Sequence, residues 1–162
     1  MKFIDENSLN RLNFKELLSR VDIFSAYGKN KLNNVQNFLV GEEEKLEEEF
    51  ERMQKILDFI SVNKKEEMEI EIILHRLKDI KKLVENTRAN IILDTVDLFE
   101  IKTQLMAMAD LNVCLIKNKE VFSDFILKDL DELFKILDPN NEKIATFYIY
   151  ESYSVILKEI RR

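Results

Sequence analysis

His75 is the single histidine of this 162-residue chain, and Glu71 and Asp79 stand four residues to either side of it. On a continuous helix that spacing places all three on one face, a turn apart, which is the beginning of a metal site. Carboxylate-bridged metal bundles need a Glu-x-x-His pair from each of two helices, and one histidine cannot supply the second pair. A small metalloenzyme bundle is therefore set aside, and His75 is expected to be a surface histidine between acidic neighbours.

Cys114 is the only cysteine. One thiol forms neither an internal disulfide nor a multi-cysteine metal site, and its apolar surroundings at 111–116 point to a buried core residue. Carboxylates are abundant, but none has a context that would desolvate it beside a partner, as general acid–base work requires. Seven glutamates crowd the ten residues 42–51. They fit the solvated face and N-terminal turns of a helix, where negative charge is favoured. Two isolated glycines, Gly28 and Gly41, cannot build a phosphate cradle, and no nucleophile elbow accompanies His75. No catalytic, cofactor-binding or metal-ligating residue is assigned, and this segment is expected not to be an enzyme.

Basic residues gather at Lys78, Lys81, Lys82 and Arg88, and again at Lys158, Arg161 and Arg162. Helical spacing puts the first group largely opposite Ile73, Leu77 and Ile80, the ordinary place for surface lysines. The second lies where a continuing helix would reach nucleic acid, so Lys158, Arg161 and Arg162 are the candidate nucleic-acid contacts. The formal net charge of −6 makes the surface as a whole repel phosphate backbones, which disfavours a free-standing nucleic-acid binder.

The elements that must position these residues follow from composition. Hydrophobic residues make up 46% and charged residues 35%, interrupted by two glycines and one proline, Pro139. So few turn-forming residues argue against a strand-rich sandwich or a doubly wound α/β fold. The expectation is an all-α antiparallel helical bundle of long helices, one domain over 1–162 with an N-terminal helix (1–24), a helical core (25–137) and a turn, extended segment and helix start (138–162). No signal pattern and no apolar run near the roughly 18 residues of a spanning helix is present, which makes the cytoplasm the default location, with no membrane contact.

Asn13 with Glu16 has capping-box spacing before a short helix reaching about Arg20, and Ser25 can cap a second helix carrying Tyr27, Leu32 and Val35. Beyond Gly41, the residues Leu46, Phe50, Met53, Leu57 and Ile60 step by four and three and predict the buried face of a first long helix. Asn63 with Glu66 would cap a second, with Ile73, Leu77, Ile80 and Val84 on its stripe. Asp94 can cap a third that buries Leu98, Ile101, Leu105, Met108 and Leu115. A fourth begins near Ser123, carries Ile126, Leu130, Leu133 and Leu137, and stops at the turn sequence 138–141. The aromatic run 147–150 is β-prone and predicts a short extended segment near the C-terminus. Ser152 or Ser154 then caps a last helix with Ile156, Leu157 and Ile160, expected to run on past Arg162 in a longer protein. In this arrangement Phe147, Tyr148, Tyr150 and Tyr153 pack the extended segment, and Tyr148→Ala should cost a few kcal/mol.

Ser25-Ala26-Tyr27-Gly28-Lys29 with Leu32, then Asp97-Leu98-Phe99-Glu100-Ile101-Lys102, then Leu137-Asp138-Pro139, Thr146-Phe147-Tyr148-Ile149-Tyr150, Tyr153-Ser154 and 157–161 stand in order along the chain. Together they resemble the core of the MutS-like DNA mismatch repair ATPases, and the last stretches resemble the passage into the long clamp helices. The resemblance covers roughly residues 25–162. It implies a helical core and lever segment, without mismatch-reading or ATPase domains, that transmits nucleotide-driven movement to a DNA-embracing clamp. It also implies a full-length parent that binds ATP and Mg, has Walker motifs beyond Arg162, pairs as a homodimer and meets DNA through its own C-terminal ATPase and clamp regions. Relatives that begin with the core act on recombination intermediates, junctions or stalled ribosomes, so the substrate stays open. The alternative is a stand-alone helical module that offers an apolar groove to a partner helix.

Overall fold

The computed structural model describes residues 11–34, 38–146 and 148–161. These residues are all-α, with no strand among them, and the chain divides into two compact units, Met1–His75 and Arg76–Arg162, where the sequence suggests one.

In the first unit, α1 (Phe14–Ser19) follows an Asn13 in left-handed conformation, φ 49°, whose side chain caps nothing. The capping box expected there is absent because Glu16 turns forward to Arg20, 2.6 Å away. Ser25 does cap α2 (Ala26–Asn33), accepting the Gly28 N–H at 3.0 Å. That cap explains the glycine, since a Cβ at residue 28 would stand 3.0 Å from Ile23 Cγ2 and 3.2 Å from Ser25 Oγ. Val35 lies outside the described residues. Gly41, at φ +94°, turns the chain into the 20-residue α3 (Glu43–Val62). Glu42 and Glu43 accept the N–H groups of Leu39 and Gly41 at 2.9 and 3.0 Å, so part of the glutamate run serves the start of the helix. The buried face of α3 is turned away from the predicted stripe. Phe59 is buried, whereas Phe50, Met53 and Leu57 are exposed. Ile56 and Phe59, off the four-three pattern, widen the apolar arc and move its centre.

The predicted second long helix is broken. Helix α4 (Lys64–Arg76) ends at the unit boundary, and α5 (Lys81–Arg88) begins five residues later. At the N-terminal end of α4, Asn63 closes the preceding helix, its amide donating to the Phe59 carbonyl at 2.9 Å. The break after Arg76 has a tertiary cause. In the second unit, the Lys78 N–H donates to the side-chain oxygen of buried Gln104 at 2.8 Å, which removes it from a helical ladder. Asp79 then accepts the Lys81 N–H at 3.0 Å and starts the next helix.

The second unit is built around the 23-residue α6 (Thr95–Lys117). Asp94 caps it as expected, accepting from Val96 and Asp97 N–H at 2.8 Å each, while the Asp97 carboxylate accepts the Asp94 N–H. Its buried residues Leu105, Ala107, Leu111 and Leu115 form the core, joined by Phe122 from α7 (Lys119–Phe122). Of the predicted stripe, Leu98 is exposed and Ile101 and Met108 are half-buried. Cys114 is half-buried rather than enclosed.

After the 3-10 turn η1 (Ser123–Phe125), the chain is irregular to Leu130 and α8 covers only Asp131–Leu137. Ser123 therefore does not begin the fourth helix. The Asn112 side chain accepts the Leu127 N–H at 2.8 Å and holds this stretch out of helix, and Asp129 accepts the Asp131 N–H at 2.8 Å to open α8. Helix α8 packs on α6. Past the 138–143 turn, the chain reaches Tyr150, whose own backbone is extended, and passes through η2 (Glu151–Tyr153) to α9 (Val155–Ile160), with Ser154 as its cap at 3.4 Å from the Leu157 N–H. Phe147 and Arg162 lie outside the described residues. Among those residues no helix is long and apolar enough to cross a membrane.

Candidate functional site

Three polar side chains meet inside the second unit: Lys102 is 4% exposed, Asp138 1% and Tyr150 2%. Each comes from a different element. Lys102 faces inward from the middle of α6, one helical turn from Leu98 and less than one from Leu105. Asp138 is the residue that closes α8, and Pro139 prevents that helix from continuing. Tyr150 stands just before η2, its own backbone extended at φ −70°, ψ 139°.

The Tyr150 hydroxyl lies between the other two. It donates to Asp138 Oδ1 at 2.6 Å and accepts from Lys102 Nζ at 2.8 Å, while Nζ and Oδ1 are themselves 3.5 Å apart. The ammonium also sits 5.0 Å from the Tyr150 ring centroid. Asp138 is further held by the backbone N–H groups of Glu142 at 3.2 Å and Lys143 at 2.8 Å. To present those groups the turn takes up left-handed backbone at Asn141 and Lys143, φ 52° and 53°. A buried charge is tolerated only when paired and hydrogen-bonded, and here one positive and one negative charge cancel with their polar atoms engaged.

Burial pushes the Asp138 carboxyl up, but the Tyr150 hydroxyl, the Lys143 and Glu142 N–H groups and the Lys102 charge together outweigh it and hold the carboxyl below its ordinary value. Burial, and then the hydrogen bond to and charge of Asp138, push the Tyr150 phenol well above its usual range. Tyr153 is raised as well, by burial and then by Asp138. Asp138 is thus fixed as an acceptor and Tyr150 as a donor across the neutral range. Proton transfer in catalysis wants a group poised near the working pH, and these two are displaced in opposite directions from it. The arrangement suits a structural joint.

Around the joint, Tyr150 meets Tyr148 and Tyr153 edge to face, with centroids 5.1 and 5.8 Å apart. The Tyr153 hydroxyl donates to the Ile136 carbonyl at 2.7 Å. A cleft of about 240 Å³ adjoins Lys102, walled by Thr95, Leu98 and Phe99 on α6 and by Ile136, Tyr148 and Tyr153. Further along α6 a broader groove of about 540 Å³ runs between Met106, Met108, Val113 and Ile116 and the facing Leu130 and Phe134.

The candidate nucleic-acid contacts fare differently from one another. Arg161 is committed to its own segment: it donates to the Ile149 carbonyl at 2.8 Å and to Tyr148 Oη at 3.1 Å and stacks 5.0 Å from the Tyr148 ring. Lys158 is exposed on α9, and Arg162 is outside the described residues. In the other basic group, Lys78 pairs with Glu100 and Lys81 with Glu85. His75 is exposed, 3.9 Å from Glu71 and edge-on to Phe24, while Asp79 falls beyond the end of the helix. Among the described residues no group of His, Cys, Asp and Glu is placed to hold a metal ion. Tyr148, expected to be a packing residue, is 47% exposed, and among the described residues of the expected packing set the buried one is Tyr150. The network itself was missed by pattern reading, although a lysine on an apolar stripe is a signal that could have found Lys102.

Comparison with protein-family models, with curated proteins and with solved structures gives no match.

Proposed function

We propose that this chain is a core and lever segment of a MutS-like DNA mismatch repair or recombination ATPase, non-catalytic in itself, which couples ATP-driven movement to a DNA-binding clamp. One observation carries the reading. Lys102 ends the stretch 97–102, Asp138 is the centre of 137–139 and Tyr150 ends 146–150, and these three stretches, on which the resemblance to that family rests, meet in one buried network. The joint ties the segment that leads into α9 to α6, the longest helix among the described residues, which supports a lever whose base can be coupled to the core. In this reading ATP and Mg are held by the full-length parent, DNA is reached through its clamp, the working form is a cytoplasmic homodimer, and α9 opens the lever.

The groove beside Met106 and Met108 favours a second reading, a stand-alone helical interaction module, because methionine-lined grooves adapt to partner helices. Recovery of the native protein with an antibody against this segment separates the two. The lever reading expects the recovered material to hydrolyse ATP with Mg, faster when mismatched or branched DNA is added. Recovery of a 19.3 kDa chain with no such hydrolysis overturns it.

A further inference from the structure

Tyr150 is the only buried residue of the segment 148–161. The residues from Glu151 to Arg161 are exposed or half-buried, including Val155, Ile156 and Ile160 of α9. Among the described residues, the side-chain hydrogen bonds that tie this segment to the rest of the unit come from two hydroxyls, those of Tyr150 and Tyr153. The Arg161 bonds stay within the segment, to Tyr148 and Ile149. Beneath it lies the 240 Å³ cleft, so Tyr148, Ile149 and Tyr153 do not close tightly on α6. The buried anchor of the segment is therefore Tyr150, and the bond of Tyr153 to the Ile136 carbonyl is an exposed second tie.

Withdrawing a buried partner normally strands a charge, which makes such contacts hard to open. Here the geometry removes that obstacle. Lys102 Nζ and Asp138 Oδ1 are already 3.5 Å apart, so a movement of under roughly 1 Å brings them to direct hydrogen-bond distance once the phenol leaves. Asp138 also keeps its bonds from the Glu142 and Lys143 N–H groups, which belong to its own turn and not to the segment. Both ions therefore remain satisfied whether Tyr150 is in or out.

We propose that residues 148–161 are a releasable strap, latched by Tyr150, and that the Lys102–Asp138 ion pair closes behind the tyrosine when the strap lifts. The strap then has two defined positions, docked and free, on a unit whose core is the same in both. The inference rests on this geometry alone and holds whatever α9 is joined to.

Hydrogen exchange on the full chain, followed across a urea series, tests it. In the unaltered protein the amides of Tyr153, Lys158 and Arg161 should exchange through a local opening with little urea dependence, while the α6 amides from Leu105 to Leu115 exchange only with unfolding of the unit. Tyr150→Phe deletes both hydroxyl bonds and should speed strap exchange roughly tenfold to a hundredfold while changing α6 protection less than about threefold. Lys102→Met leaves the Asp138 charge without its partner and should lower α6 protection as well. Strap and α6 amides exchanging in one step with the same urea dependence would overturn the proposal. So would a Tyr150→Phe protein that loses α6 protection or fails to fold, because the ions would then not pair behind the tyrosine.

Discussion

Tyr150 donates to Asp138 at 2.6 Å across a sequence separation of twelve residues, a buried bond that joins the end of α8 to the segment leading into α9. The Lys102 ammonium, 2.8 Å from the same hydroxyl, attaches both to α6.

Asp138→Ala should be the most damaging single change in the second unit. It leaves the Lys102 ammonium buried without a counter-charge and frees two backbone N–H groups. Breaking a buried pair from one side costs about 3–5 kcal/mol. Urea denaturation followed by circular dichroism should show that loss, and a change below about 1 kcal/mol would contradict the burial of the pair.

The tyrosines should separate cleanly. Tyr150→Ala removes a buried ring and both hydroxyl bonds and should cost about 3–5 kcal/mol, as aromatic truncations in cores do. Tyr148→Ala, at a half-exposed position, should stay within about 1 kcal/mol. Thermal unfolding of the two variants side by side checks the order.

Stability should fall at both ends of the pH scale. Asp138 has a folded pKa below its unfolded value of about 3.9, so its contribution is present above that value and is lost as pH falls through the lowered folded one. Tyr150 has a folded pKa above its unfolded value of about 10, so its contribution is complete below pH 10 and is lost as pH rises towards the folded one. Asp138→Asn should flatten the acid limb and Tyr150→Phe the alkaline limb in a denaturation series from pH 2 to 12; unchanged limbs would contradict these assignments.

Asp94→Ala should cost about 1 kcal/mol by removing the cap of α6, with the loss seen as faster exchange at Val96 and Asp97.

Local signals in the sequence reported the ends of helices faithfully where the cap was a short polar side chain with free backbone groups ahead of it. Ser25, Asp94 and Ser154 are the caps that the sequence suggests. Asn13 fails because its backbone is left-handed and Glu16 is drawn to Arg20. Periodicity, by contrast, could not see Gln104 and Asn112. These two side chains on α6 capture the backbone N–H groups of Lys78 and Leu127, and so break one predicted helix and delay another. Such captures are tertiary events, with partners 26 and 15 residues apart, and no window along the chain contains them. The buried network was half legible. Pro139 marked the turn, yet Lys102, Asp138 and Tyr150 read singly as an ordinary helix lysine, a turn aspartate and a β-prone tyrosine.

The central claim, that α9 opens the lever of a MutS-like ATPase, is tested most directly by reading the source transcript through and beyond the codon for Arg162. The expected result is an open frame with long heptad-patterned helices followed by Gly-x-x-x-x-Gly-Lys-Ser/Thr. A stop codon directly after Arg162 would contradict it and leave the helical interaction module as the reading.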